Sequence, residues 1–193
     1  MNEELFKRIL SSLILIPTVF FFIIKGSFFF NFFIFIILLI TLYEWHFLSL
    51  KKNYYIPGLA FILFSFYAVY YLRNEGNLGF FLLILITCIA TDVGGYLFGK
   101  LLKGPKLTKI SPNKTYAGTL GGLVLSFFLA YIFINNLNIL SLESLDAEIS
   151  KQFIFIVLSI SLISQLGDLI VSLFKRKAKI KNTGNIIPGH GGI

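Results

Sequence analysis

Apolar residues run along this chain in long unbroken blocks, not in the alternating or one-sided patterns of a water-soluble domain. Six blocks stand out, at residues 9–24, 28–50, 56–72, 78–99, 116–134 and 153–174. Each approaches or exceeds the roughly 20 helical residues that cross a hydrocarbon core of about 30 Å. Phenylalanine and isoleucine dominate them. These residues favour strands in water, but a run of this length satisfies its own backbone in lipid only as a helix. The pattern therefore predicts an all-α integral membrane protein, a polytopic bundle of about six transmembrane helices. The first block is the shortest, and Pro17 inside it predicts a kink. No internal repeat, low-complexity tract or soluble-domain linker is visible. Residues 135–150 form the only sizeable outer loop, so residues 1–193 read as a single membrane domain with no separate soluble domain.

Charge falls between the blocks and sorts by side. Lys7 and Arg8 precede the first block, and Lys51 and Lys52 follow the second. The segment after the fourth carries Lys100, Lys103, Lys106, Lys109 and Lys114 without an acid, and Lys175, Arg176, Lys177, Lys179 and Lys181 follow the sixth. The alternate loops hold Lys25, then Arg73 with Glu75, then Glu143, Asp146 and Glu148 against Lys151. Positive residues stay on the cytoplasmic side of a membrane, so the N-terminus and both strongly basic segments are expected there. Composition closes other routes. With 56% hydrophobic and 13% charged residues, against about 45–50% apolar in soluble domains, too little polar surface exists to clothe a soluble core. A net charge of +8 would suggest nucleic acid in a soluble protein. Here the basic residues flank apolar spans, where topology and anionic phosphates account for them, and no nucleic-acid partner is expected. Cys88 is the sole cysteine, which excludes an intrachain disulfide and a cysteine-based zinc site. Glu3 and Glu4 before Lys7, with no small-residue cleavage site, argue for a retained first span over a removable leader.

Four places could carry chemistry. Asp168 lies inside an apolar helix, where a carboxylate costs about 2.5–3.5 kcal/mol on insertion scales and must face a partner or a wet cavity. At helical spacing Ser161, Ser164, Asp168, Ser172 and Lys175 share one stripe, bordered by Gln165. Asp92 is similar, sharing a face with Tyr96 and Gly99. Gly95 with Gly99, and Gly118 with Gly122, form small-xxx-small pairs that let helices approach closely. Either acid could instead serve packing alone, through an interhelical polar pair or a loop lysine. Ser111, Pro112 and Asn113 open a helix, with Ser111 or Asn113 as its cap. Lys114 and Thr115 beside that start make a candidate phosphate cradle. Finally, Lys175, Arg176 and Lys181 lead into Pro188-Gly189-His190-Gly191-Gly192, where glycines permit close backbone approach to an anion. His46, next to Trp45, reads as an interfacial residue. Walker-type phosphate loops, HExxH and GxSxG motifs are absent.

Together these pieces resemble the phosphatidate cytidylyltransferase (CDP-diacylglycerol synthase) family. The likeness rests on Ser172, Phe174-Lys175-Arg176, Lys181 and Gly189-His190-Gly191-Gly192-Ile193 in order and spacing, with Gly167-Asp168-Leu169 ahead of them. It extends to Asp92 with Gly94-Gly95-Tyr96 and Gly99, to Ser111-Pro112-Asn113-Lys114-Thr115 with Gly118 and Gly121-Gly122, and to Glu4-Leu5-Phe6-Lys7-Arg8-Ile9. Asn182 departs from the pattern, which has aspartate after Lys181. The resemblance implies attack of phosphatidate on the α-phosphorus of CTP, giving CDP-diacylglycerol and pyrophosphate. It implies Mg²⁺ at Asp168, with a monovalent cation as a further candidate, and Asp168, Lys175 and Asp92 as catalytic residues. Ser111, Asn113, Lys114, Thr115, Ser172, Arg176, Lys181, His190, Gly191 and Gly192 would bind substrate phosphates. It implies a multi-pass protein of a bacterial inner membrane, active on its cytoplasmic side, with a homodimer compatible. The family pattern continues past Gly192-Ile193 into Asp-Arg-x-Asp, whose first aspartate shares the metal centre. A chain ending at Ile193 is thus expected to be incomplete at its C-terminus and to turn over little. A CTP-dependent kinase of lipid alcohols (dolichol or phytol type) and a non-enzymatic channel or transporter with Asp92 and Asp168 on an ion path are the competing classes.

Overall fold

The computed structural model describes residues 3–49, 52–108, 111–136, 151–178 and 180. Among these described residues are six helices: α1 (Glu3–Lys25), α2 (Ser27–Ser49), α3 (Tyr55–Asn74), α4 (Leu78–Leu102), α5 (Tyr116–Asn135) and α6 (Lys151–Lys177). Each apolar block became one helix. Helices α2 to α6 are long and apolar enough to cross a membrane; in α1 the apolar part, Leu10–Lys25, is shorter. Phe28, Phe64 and Phe155 are each more than 70% exposed. Such faces would be untenable in water and are at home against acyl chains, so the protein is an all-α membrane protein. Pro17 lies within α1, and the helix continues through it.

The chain divides into two compact units, one carrying α1–α3 and the other α4–α6. In the first, Gly26 turns the chain between α1 and α2 with φ +63°. Arg73 of α3 reaches this turn. Its Nε donates to the Ile23 carbonyl at 2.8 Å, and its guanidinium lies 5.8 Å from the centre of the Phe30 ring. A Cβ at position 26 would meet Arg73 Nη2 at 2.5 Å, so glycine serves both the left-handed backbone and the close approach. At the next turn Trp45 donates from its indole to the Tyr55 carbonyl at 3.1 Å, and its ring lies where a side chain at Gly58 would stand.

In the second unit α4 and α5 pack backbone to backbone. A Cβ at Gly94 would meet the Gly121 carbonyl oxygen at 2.7 Å and Gly122 Cα at 2.9 Å, and one at Gly118 would meet the Gly95 carbonyl oxygen at 2.5 Å. Phe98 fills the space beside Gly121. The expected pairs thus take part unequally: Gly118 and Gly122 are in tight contact, while Gly95 and Gly99 have more room and Gly94 and Gly121 do more of the work. Helix α6 joins differently. At one end Phe153 and Val157 pack with Leu83 and Ala130. Toward its other end polar side chains take over.

Candidate functional site

The segment between α4 and α5 is a short hairpin that ends in a cap. The Leu107 amide donates to the Lys114 carbonyl at 2.8 Å and the Tyr116 amide to the Pro105 carbonyl at 3.2 Å. These bonds flank an antiparallel bridge between Lys106 and Thr115. The pairing holds Thr115 extended, with φ −119° and ψ 157°, and its hydroxyl accepts from the Gly118 amide at 3.1 Å. Thr115 therefore caps α5, in place of Ser111 or Asn113 as the sequence suggested. Those two residues belong to the hairpin's turn, where the Lys114 amide closes back on the Ser111 carbonyl at 3.1 Å. The amides of Tyr116, Gly118 and Thr119 are all engaged, which leaves side chains to supply much of the contact to an anion here.

The hairpin register delivers Lys114 to α6. Its Nζ lies 2.9 Å from Asp168 Oδ2, with the lysine side chain 29% and the aspartate 52% exposed. Asp168 is thus an open acid facing both a cation and a cavity, not a buried one. The cavity measures about 290 Å³. Helix α4 contributes Thr91, Asp92, Gly95 and Tyr96 to its wall, and the hairpin Ser111, Asn113, Lys114 and Thr115. Helix α5 adds Gly118 and Thr119, and α6 adds Gln165 and Asp168. Two carboxylates from different helices share this space with hydroxyls, two side-chain amides and one ammonium. This donor set offers hard oxygens and suits Mg²⁺, which usually takes one or two carboxylates and completes its shell with water and phosphate. Among the described residues no group of three or more histidines, cysteines, aspartates or glutamates could hold a metal by protein ligands alone.

A buried polar seam runs from the cavity into the unit. Thr87 donates its hydroxyl to the Leu83 carbonyl and Thr91 to the Thr87 carbonyl, each at 2.7 Å. Thr91 Oγ1 also lies 2.7 Å from Ser161 Oγ of α6. Gln165 donates from Nε2 to the Thr119 carbonyl at 3.3 Å. Ser161, Gln165 and Tyr96 were marked in the sequence by face alone. Thr91 and Thr119 were missed; the one signal for Thr91 was its spacing of four from Thr87 on an otherwise apolar helix.

A family model described as the cytidylyltransferase family matches residues 55–193. The chain belongs to the cytidylyltransferase family. Every residue lining the cavity lies inside the stretch matched to that family. Among cytidylyltransferase relatives, the chain is 36% identical to the phosphatidate cytidylyltransferase of Staphylococcus saprophyticus over 140 residues, 72% of this chain and 50% of that protein. It is 38% identical to that of Staphylococcus aureus over 143 residues, with the same shares covered. With the phosphatidate cytidylyltransferase of Rickettsia bellii it is 33% identical over 200 residues, 100% of this chain and 84% of the relative. The chain thus spans about half the length of the staphylococcal relatives. No solved structure gives a significant match.

Of the residues the cytidylyltransferase resemblance pointed to, the structure brings together Asp92, Ser111, Asn113, Lys114, Thr115 and Asp168 around one cavity. Ser172, Lys175 and Arg176 lie one to two turns beyond Asp168 on α6 and are not among its lining residues. Lys181, His190, Gly191 and Gly192 lie outside the described residues.

Proposed function

We propose that this chain acts in CTP:phosphatidate cytidylyltransfer, and that the α4–α6 cavity receives the reacting phosphates. The observation that carries the reading is the Lys114–Asp168 pair facing Asp92 across one cavity, inside a chain whose relatives are named phosphatidate cytidylyltransferases. An oxygen of the phosphatidate phosphate forms a bond to the α-phosphorus of CTP. The bond to the β-phosphate oxygen breaks, and pyrophosphate leaves with that electron pair. The attacking phosphate is already ionised at neutral pH, so no strong general base is needed. Two polyanions must nevertheless meet, and cationic side chains lower that cost. Lys114 is a mobile point charge on a flexible stem, and it can exchange Asp168 for a substrate phosphate without rebuilding the site. Asp92 and Asp168 would hold Mg²⁺, which when bound supplies further charge neutralisation at the phosphates. Lys175 and Arg176 at the end of α6, with Lys181 beyond it, would attract the polyphosphate toward the same end of the helix. The reading sets the protein in a bacterial inner membrane with this end toward the cytoplasm, where CTP is found.

The deciding experiment gives purified full-length protein phosphatidate, CTP and Mg²⁺ and follows the products. Pyrophosphate and CDP-diacylglycerol are expected, with Asp168→Ala lowering their formation by about 10²–10³-fold, the scale of losing a preorganised electrostatic contact. Undiminished turnover in Asp168→Ala would take the carboxylate out of the reaction. CDP as the nucleotide product would instead mark γ-phosphate transfer to a lipid alcohol.

A further inference from the structure

Helix α6 carries Asp168 but lacks the glycine-to-glycine approach that locks α4 to α5. A Cβ added at Gly167, next to Asp168, would meet nothing within 4 Å. Close backbone contact joins α4 to α5 but scarcely reaches α6, so the spacing between α6 and α4 at the level of the carboxylates is left to side chains. Polar side-chain ties take the place of backbone contact: a Cys88–Ser164 hydrogen bond between α4 and α6, and two that flank the carboxylates, one to α4 and one to α5. The first of these two is the Thr91–Ser161 hydroxyl contact at 2.7 Å, with Thr91 1% and Ser161 0% exposed. The second is the Gln165 amide on the Thr119 carbonyl at 3.3 Å. Their placement along the chain matters. Thr91 is the residue before Asp92, while Gln165 and Ser161 lie one and two turns before Asp168.

The direction of the first tie follows from proton count. A threonine hydroxyl has one proton, and that of Thr91 is directed to the Thr87 carbonyl at 2.7 Å. Toward Ser161 it can only accept, so Ser161 donates across the interface. We propose that Thr91 and Ser161, supported by Gln165, are positioning residues that set the separation of the Asp92 and Asp168 carboxylates. Ser161 donates the hydrogen bond that fixes α6 against α4 nearest the carboxylates, beyond the apolar contact of Phe153 and Val157 with Leu83. The inference rests on the reading above that the two carboxylates serve one metal and phosphate centre. In such centres, outer-shell groups that orient the ligands typically change metal affinity by about 10–100-fold when removed.

Thr91→Val removes the acceptor while keeping the shape. The Ser161 proton can then return to a carbonyl of its own helix, so the variant is expected to fold with the tie broken. Thr91→Ser keeps the acceptor. The test uses the full protein in a Cys88→Ser background, which keeps a hydrogen-bonding group toward Ser164 and is the parent for every comparison, with nitroxides at Val93→Cys and Leu166→Cys, both exposed positions on α4 and α6. Dipolar broadening reports the spacing, and electron paramagnetic resonance titration with Mn²⁺ in unlabelled protein reports the carboxylate pair. The expected result is a broadened spacing and roughly 10-fold weaker Mn²⁺ binding in Thr91→Val, both restored in Thr91→Ser, with a thermal midpoint near that of the parent. An unchanged spacing in both Thr91→Val and Ser161→Ala overturns the proposal. So does unchanged Mn²⁺ affinity in the face of a broadened spacing. If the parent's Mn²⁺ binding is indifferent to Asp168→Ala, the metal reading fails, and the spacing measurement alone then decides whether the hydroxyl pair sets the helix separation.

Discussion

At the scale of single residues, the Lys114–Asp168 pair separates stability from function. Both side chains keep substantial exposure, 29% and 52%. Ion pairs of that kind contribute about 0–1 kcal/mol to folding. Lys114→Ala should therefore leave the thermal midpoint almost unmoved while lowering CTP-dependent turnover by about 10²-fold, the scale of one lost electrostatic contact. Parallel melting curves and initial rates check both halves; a large drop in stability with intact turnover would make the pair structural. Asp168 was legible in the sequence because a charge in an apolar helix has few reasons to be there. Its partner was not. Four lysines populate the segment between α4 and α5, with Lys100 in the last turn of α4, all equally compatible with a cytoplasmic boundary. Hairpin pairing of Leu107 with Lys114 selects which one reaches α6.

At the scale of elements, the helices divide into those held by backbone approach and those held by side chains. Gly94→Ala would push a methyl group into the Gly121 carbonyl and Gly122 Cα, both backbone atoms that cannot rotate away. Overpacking of this kind costs about 1–3 kcal/mol, and unfolding by denaturant in detergent should show it. Gly167→Ala, with no atom within 4 Å of the new Cβ, should be neutral or slightly stabilising in the same assay. In the first unit, Arg73 satisfies a carbonyl at the C-terminal end of α1 that the helix itself leaves unpaired. Arg73→Lys keeps the charge but not the planar fork, and it should cost about 1.5–3 kcal/mol, the range for a hydrogen bond to a charged group. The glycine pairs were readable as a class from their spacing. Which glycines bear the tight contact was not, because that depends on the rotation of α4 about its axis. The cap of α5 was misplaced for a related reason: Ser111 and Asn113 have the side chains of a cap, but the pairing of Lys106 with Thr115 keeps the chain extended until Tyr116.

At the scale of the whole molecule, the alternation of charge makes a prediction that does not depend on the site. Alkaline phosphatase fused within residues 137–150 should be active, on the outer face, whereas fused within residues 103–114 it should be inactive, on the cytoplasmic face. The opposite pattern would turn the cavity away from CTP and sink the proposed function. The number and order of the helices among the described residues were determined by the sequence alone, because lipid leaves a long apolar segment no other way to satisfy its backbone. Asp92 and Asp168 stood out for the same reason, as charges in a solvent that penalises them. Tertiary structure alone decided that the two acids and Lys114 share one cavity, and that a threonine and a serine 70 residues apart join the acids' helices. Apolar surface is non-directional and specifies that helices are buried in lipid or against each other, not how each is rotated. Rotation and register came from a few backbone contacts and hydroxyl bonds whose residue types recur along the chain and acquire their partners only when it is folded.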